Sequence, residues 1–287
     1  MTPAARVQAA IEILDEIVAS VRDGGPAADV LIARYFRTRR YAGSKDRRAV
    51  REVVYDCIRK LGDVPEHGRA AVLGARPDDA ALFGTGGHAP AAVGPTDAPA
   101  APGLAPAWLL ARLGGRAGPE LMARAGIDLR VNTLKTTRDD VAHLGTPIAD
   151  LPNGLKDAPE DIAKLQEYLD GLVEIQDRGS QHIVRLCAAR PGMTVVDLCA
   201  GGGGKALGLA ADMANDGRII ASDTAGRGGG ARAPRAARAG AAIITPRRLD
   251  PGTESQGLAD MAGGADIVLV DAPCSGTGTW RRNPEAK

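Results

Sequence analysis

With 287 residues, the chain is long enough for two domains, or three, each with its own core. A formal charge of +1 leaves nucleic-acid binding open, because binders segregate charge rather than carry an excess, while 3% aromatics argue against a stacking platform for single-stranded RNA. Four cysteines without CxxC spacing argue against a disulfide scaffold or zinc site, and neither an 18-residue apolar run nor a signal-like N-terminus is present, so a reduced, cytoplasmic protein off the membrane is expected.

Val7, Ile11, Leu14, Val18 and Val21 recur at helical steps with acids and Arg22 between them, and Gly24-Gly25-Pro26 ends that helix. A second helix is predicted from about Asp29 into Tyr35-Phe36, and a third from about Ser44 to Leu61 on the stripe Val50, Val53, Val54, Cys57, Ile58 and Leu61. Cys57 lies on that stripe and is read as core. Residues 31–60 hold ten Arg or Lys and three acids, with Arg37, Arg39, Arg40, Lys45, Arg47 and Arg48 tightly grouped. The group fits a solvated helix face and fits a phosphate-contacting patch equally well.

Residues 84–106 are Ala, Pro and Gly without a hydrophobic period, which predicts a loose linker. Helical spacing returns over Ala107–Ala125, interrupted by Gly114-Gly115 and Pro119. Residues 128–134 alternate like a strand, Thr137–Leu144 suits a short helix, and Asp161–Leu172 repeats a helical pattern. A small α+β insert is expected there.

The last third changes character. Thr194–Cys199, Arg218–Asp223, Ala241–Thr245 and Asp266–Asp271 read as buried strands, with a glycine turn and a helix after the first. Strand and helix in alternation predict a doubly wound parallel sheet, in which ligands bind beyond the carboxyl ends of the strands. Asp197, Asp223, Asp250 and Asp271 stand at or just past those ends. Gly201–Gly204 let a ligand approach the backbone, and Asp223 follows Asp197 by 26 residues, near the spacing for a carboxylate on ribose hydroxyls. These features predict a nucleotide-type cofactor.

Two stretches then carry a resemblance. Asp197-Leu-Cys-Ala-Gly-Gly-Gly-Gly-Lys205 is similar to the cofactor motif, and Asp271-Ala-Pro-Cys-Ser-Gly-Thr-Gly-Thr-Trp-Arg-Arg-Asn-Pro284 to the active-site motif, of the Fmu/Sun (ribosomal RNA small-subunit methyltransferase B-like) family of S-adenosylmethionine-dependent RNA cytosine-C5 methyltransferases. Arg130-Val-Asn132 and Gln176-Asp-Arg-Gly-Ser-Gln181 match before the sheet, and the N-terminal helices resemble the family's NusB-like RNA-binding domain. The resemblance implies residues 1–83 as the NusB-like domain, 84–106 as linker, 107–175 as a helical connection with a small α+β RNA-binding subdomain, and 176–287 as a Rossmann-like methyltransferase domain.

It further implies S-adenosyl-L-methionine held by Cys199, Ala200, Gly201, Gly202, Gly203, Gly204 and Lys205, with Asp223 on its ribose, Asp250 by its adenine and Asp271 between cofactor and cytosine. Arg130, Asn132, Arg281 and Arg282 are expected on RNA, with 16S ribosomal RNA as the expected substrate; no metal is expected, and the protein is expected to act as a monomer. In this chemistry a thiolate adds to C6 of cytosine, C5 takes the methyl group, and a base removes the C5 proton. Position alone makes Cys274 the candidate nucleophile, as in DNA cytosine methyltransferases. The resemblance instead assigns Cys274 to product release and the attack to a later cysteine, and none follows Cys274.

The sequence departs from the family pattern in three further places. Gly226-Arg-Gly-Gly-Gly230 stands where the family has a helix, each glycine costing about 1 kcal/mol against alanine; Ala206 replaces a Thr or Ser; and the sheet is expected to be incomplete after its fourth strand, leaving an exposed edge or apolar face. The expectation is therefore a truncated methyltransferase unable to turn over, with a non-catalytic RNA-binding protein on a degenerate methyltransferase fold as the alternative. Arg227 to Arg248 hold six arginines and no acid, a second candidate RNA-facing strip.

Overall fold

The Thr2 hydroxyl accepts from the Ala5 N–H at 3.2 Å, Pro3 sits in the first turn, and Gly24 at φ 66° turns the chain out. Between these signals α1 runs Pro3–Asp23 and buries Val7, Ile11, Leu14 and Val18 along one face. The computed structural model describes residues 1–224, 229–274 and 276–287, and the side chains of 229–232 lie outside that description. Its chain divides into two units, Met1–Ala125 with Ser275–Lys287, and Gly126–Cys274.

In the first unit α1 packs with α2 (Ala28–Arg37), α3 (Ser44–Lys60) and α4 (Gly68–Ala75) around Ile13, Leu31, Phe36, Val50, Val54 and Cys57. The α4 helix was not legible in its Ala- and Gly-rich sequence. Residues 84–106, expected as a loose linker, lie against these helices: the Ala100 N–H donates to Ala70 O at 3.0 Å and the Gly103 N–H to Lys60 O at 2.8 Å. Arg69 forks onto both oxygens of Asp97, at 2.6 and 2.7 Å. The segment lacks a hydrophobic period because backbone bonds and one ion pair hold it. Then comes α5 (Ala107–Leu113), and Leu109 on it packs with Ala105, Met122 and Trp280.

The second unit holds two sheets. The first is antiparallel, from β1 (Ile127–Val131), β2 (Thr146–Pro147), β3 (Gly154–Ala158) and β4 (Val173–Ile175) in the order β2-β3-β1-β4, with the short α6 (Gln166–Leu169) before β4. Only β1 was evident from alternation; β2 and β4 are too short to show a period, and β3, Gly-Leu-Lys-Asp-Ala, does not alternate. A helix, α7 (Arg178–Cys187), leads to the second sheet.

That sheet is parallel, in the order β7-β6-β5-β8. Its elements are β5 (Thr194–Asp197), α8 (Gly204–Asp212), β6 (Arg218–Thr224), α9 (Gly229–Ala239), β7 (Ile244–Leu249), α10 (Glu254–Gly257) and β8 (Ile267–Leu269). Val195, Ile219, Ile220 and Ala221 are buried, as the apolar runs required. β7 starts three residues later than read, at Ile244, and runs through Pro246. Proline fits because β7 is an edge strand in this sheet.

At the other edge, among the described residues, β8 pairs with β5 alone, and Val268 and Val270 are exposed. Of the glycine run after β6, residues 226–228 lie outside the described residues, as does Arg227 of the basic strip. From Gly229 a helix nevertheless forms. Tertiary ties override the poor propensity: Asn132 Nδ2 donates to Ala239 O at 2.8 Å, and Lys135 Nζ to Arg238 O at 2.6 Å, satisfying carbonyls at its C-terminus.

Candidate active site

The carboxyl ends of β5, β6 and β8 gather the residues of the cofactor motif. β5 ends at the buried Asp197, and the turn that follows folds back on β6, with the Ala200 N–H donating to Ser222 O at 2.9 Å. The Gly203 N–H closes the turn onto Ala200 O at 2.8 Å. Gly201 and Gly203 adopt φ 51° and 81°, the left-handed region in which a side chain is strained. The Gly201 N–H donates to Asp223 Oδ2 at 2.8 Å, so the glycine loop and the second-strand acid meet.

Gly204 begins α8 and puts Lys205 in its first turn, where its ammonium pairs with Asp271 beyond β8. Lys205 is largely buried and Asp271 is 45% exposed, so the pair has a solvent-accessible carboxylate backed by a sheltered cation. Cys199 lies half-buried in the loop; burial first, and then the charges of Asp223, Asp197 and Asp271, push its thiol pKa up, which disfavours a thiolate. Ala200 is half-buried beside it, and Cys274 is exposed. Asp250 follows β7, exposed and paired with Arg248 at 3.2 Å.

The loop fits an S-adenosylmethionine-like ligand on its own geometry. It is open above Gly201, where an added Cβ would meet nothing within 4 Å, and it is flanked by the carboxylates of Asp223 and Asp271. Among the described residues no cluster of three or more His, Cys, Asp or Glu is placed to hold a metal ion, and no helix is long and apolar enough to cross a membrane.

The structure places two further groups of expected residues. Arg130 and Asn132, expected on RNA, are 6% and 1% exposed. Arg130 Nε donates to Gln176 Oε1 at 2.8 Å, and Asn132 Nδ2 to the carbonyls of Gly171 and Ala239, both at 2.8 Å. They fasten β1 to its surroundings. A polar segment before the sheet looks surface-like in sequence because its acceptors, a distant glutamine side chain and two backbone carbonyls, are brought to it only by the fold.

The active-site motif is also divided. Asp271–Cys274 belong to the second unit, while residues 276–284 belong to the first; Ser275 lies outside the described residues. Within the first unit Trp280 is fully buried against Ala105, Leu109 and Met122. Arg59 on α3 donates to the carbonyls of Met122 at 2.7 Å and Arg281 at 3.0 Å. Arg281 itself is exposed and donates to Ala123 O at 3.3 Å, and Arg282 is half-buried.

The basic group on α2 and α3 separates likewise. Arg39 stacks on Tyr35 at 3.6 Å and pairs with Glu12, whereas Arg37, Arg40, Lys45, Arg48 and Tyr41 stand exposed.

Residues 184–287 match the family described as 16S rRNA methyltransferase RsmB/F. Over this stretch the chain is similar to the RsmB/F methyltransferases. A "Probable ribosomal RNA small subunit methyltransferase B" of Synechocystis sp. is 33% identical over 171 residues, 56% of this chain and 38% of that protein. An Escherichia coli ribosomal RNA small subunit methyltransferase B is 31% identical over 200 residues, 64% of this chain and 46% of that protein. The chain thus spans less than half the length of these curated relatives. The crystal structure of PH0851 superposes over all of this chain and 78% of its own, with TM-score 0.66 at 21% identity, which establishes the shared fold.

Sequence reasoning missed Glu174 and Arg235. Glu174 on β4 is 1% exposed and accepts from Arg235 Nη2 at 2.9 Å and from Arg238. The one available signal was a carboxylate between Val173 and Ile175 in an apolar stretch, pointing inward on a strand whose Ile175 points out.

Proposed function

We propose that the chain is the cofactor-binding and RNA-binding part of an S-adenosyl-L-methionine-dependent methyltransferase acting on C5 of cytosine in small-subunit ribosomal RNA. The observation that carries the reading is the meeting of the Gly201–Gly204 loop, Asp223 and the Lys205–Asp271 pair at the ends of three parallel strands. Bound S-adenosylmethionine would supply an electrophilic methyl group. Cys199–Lys205 and Asp223 would hold it, and the exposed Asp250 would lie by the adenine.

The residues present have distinct tasks in this reading. Lys205 fixes the direction of the Asp271 carboxylate by pairing with one of its oxygens, so that the other can accept a hydrogen bond from the cytosine ring. The exposed Cys274 thiol lies three residues beyond Asp271 and is assigned to product release, in keeping with the motif. Arg281, Arg282 and the exposed cations Arg37, Arg40, Lys45 and Arg48 are proposed to neutralise RNA phosphates, giving binding that weakens steeply with salt. Arg130 and Asn132, which are buried, are left out of this proposed set of phosphate contacts.

Calorimetric titration with S-adenosyl-L-methionine tests the reading. Binding that Asp223→Asn weakens supports it, whereas no binding to the folded chain leaves an RNA-binding module on a methyltransferase fold. Methyl transfer from labelled cofactor to undermethylated small-subunit RNA, compared with Cys274→Ala, tests the thiol. Transfer that is abolished by the substitution before any product forms would make Cys274 the nucleophile instead.

A further inference from the structure

We infer that Arg235 is a positioning residue for the glycine-rich loop, anchored there by the buried Glu174. The inference rests on the reading of that loop as the cofactor site. Arg235 uses its two terminal nitrogens on different partners: Nη2 donates to Glu174 Oε2 at 2.9 Å, and Nη1 donates to the Gly202 carbonyl at 2.8 Å. The planar guanidinium makes these two bonds rigidly related, so the position of Glu174 sets the position of the loop. Glu174 has little freedom, being 1% exposed on a strand and held from its other oxygen by Arg238.

The loop is shaped to receive this contact. A Cβ on Gly202 would stand 3.0 Å from Arg235 Nη1, tighter than ordinary packing, so glycine at this position lets the guanidinium approach. A Cβ on Gly204 would lie 3.6 Å from Gln176 Nε2 and 3.8 Å from Arg235 Nη2, which places the same polar layer beneath the next turn. Asp223 fixes the Gly201 N–H and Arg235 fixes the Gly202 carbonyl, so two successive residues of the loop are tied from different elements.

Arg238 provides an internal contrast. It lies three residues on from Arg235, on the same face of α9, and pairs with the same carboxylate. Its remaining contacts are structural: the guanidinium stacks on the Tyr168 ring at 4.0 Å. Arg238 therefore balances the charge of Glu174 without touching the loop, and Arg235 is left to hold Gly202.

S-adenosyl-L-homocysteine titrated calorimetrically into wild type, Arg235→Ala, Arg235→Lys and Arg238→Ala, with melting temperature measured alongside, separates these roles. Arg235→Ala is expected to weaken binding by about tenfold or more, the size of one lost charge-assisted hydrogen bond, while Arg238 keeps Glu174 paired and the protein folded. Arg235→Lys is expected to melt like wild type yet bind as weakly as Arg235→Ala, because one ammonium cannot reproduce the fork between Glu174 and Gly202. Arg238→Ala is expected to melt lower with affinity within about twofold of wild type. Wild-type affinity in Arg235→Ala, or recovery of affinity in Arg235→Lys, overturns the inference, since Arg235 would then be a mere counter-charge. If wild type itself fails to bind, the cofactor reading falls and takes the inference with it.

Discussion

Asn132 offers the sharpest test of how the second unit is held together. Its amide is 1% exposed and makes three bonds to backbone: Nδ2 to Gly171 O and to Ala239 O, both at 2.8 Å, and Oδ1 from the Leu134 N–H at 3.3 Å. Asn132→Ala removes all three and leaves groups from three segments without a partner. At about 1 kcal/mol net per bond, the loss is about 3 kcal/mol, or roughly 6–12 °C in melting temperature at about 2–4 °C per kcal/mol for a chain of this size class. Asn132→Asp keeps the acceptor for Leu134 but turns an oxygen toward two carbonyls, so it should be at least as damaging.

Both tryptophans, Trp108 and Trp280, lie in the first unit, so their fluorescence reports that unit, while circular dichroism and hydrogen exchange at β1 and α9 report the loss. The exchange protection of Ala239 and its neighbours should fall selectively. An Asn132→Ala protein that melts within about 0.5 kcal/mol of wild type but binds RNA more weakly would refute the argument and return Asn132 to the RNA surface.

Three further outcomes are expected. Trp280→Ala should destabilise the first unit by about 3–5 kcal/mol, read in urea by the remaining Trp108 fluorescence, because a fully buried indole leaves a large cavity among Ala105, Leu109 and Met122. The Arg69 guanidinium, with the Gly94 N–H, holds the Asp97 carboxyl down to about 2, so its contribution is complete above the ordinary carboxylate pKa of about 4 and is lost as pH falls through 2. The difference in urea midpoint between wild type and Asp97→Asn should accordingly be constant above about pH 5 and close towards pH 2; a gap that persists at pH 2 would contradict the assignment. In native protein treated with iodoacetamide, mass spectrometry should find Cys274 alkylated early and Cys57 only after unfolding, since burial pushes the Cys57 thiol up to about 12.

Much of the parallel sheet was legible because buried parallel strands are continuous apolar runs. Val195-Val196 and Ile219-Ile220 stand out against an Ala- and Gly-rich background, and an acid at each strand end marks the ligand edge. The small antiparallel sheet was mostly illegible, since β2 and β4 are two and three residues long and carry no period. The β7 reading stopped at Thr245, while the strand runs on through Pro246 to Leu249, where its edge position makes the proline harmless. Residue type and spacing pointed to Gly201–Gly204 and Asp223, and the family motif to Cys199–Lys205, whereas neither pointed to Glu174 or Arg235.

The sequence by itself determined the repeating strand–helix order, the glycine turn, the acids at the strand ends and the family motifs, because each is a local pattern of residue types along the chain. Tertiary structure decided which polar groups meet. Arg130 and Asn132 became internal fasteners, residues 84–106 became a bound segment, and the motif from Asp271 to Pro284 was shared between two units. The physical reason is the same in each case. A hydrogen bond to a backbone carbonyl or a buried side chain can take the place of solvent for a polar group, and its partner is set by the fold rather than by neighbouring residues.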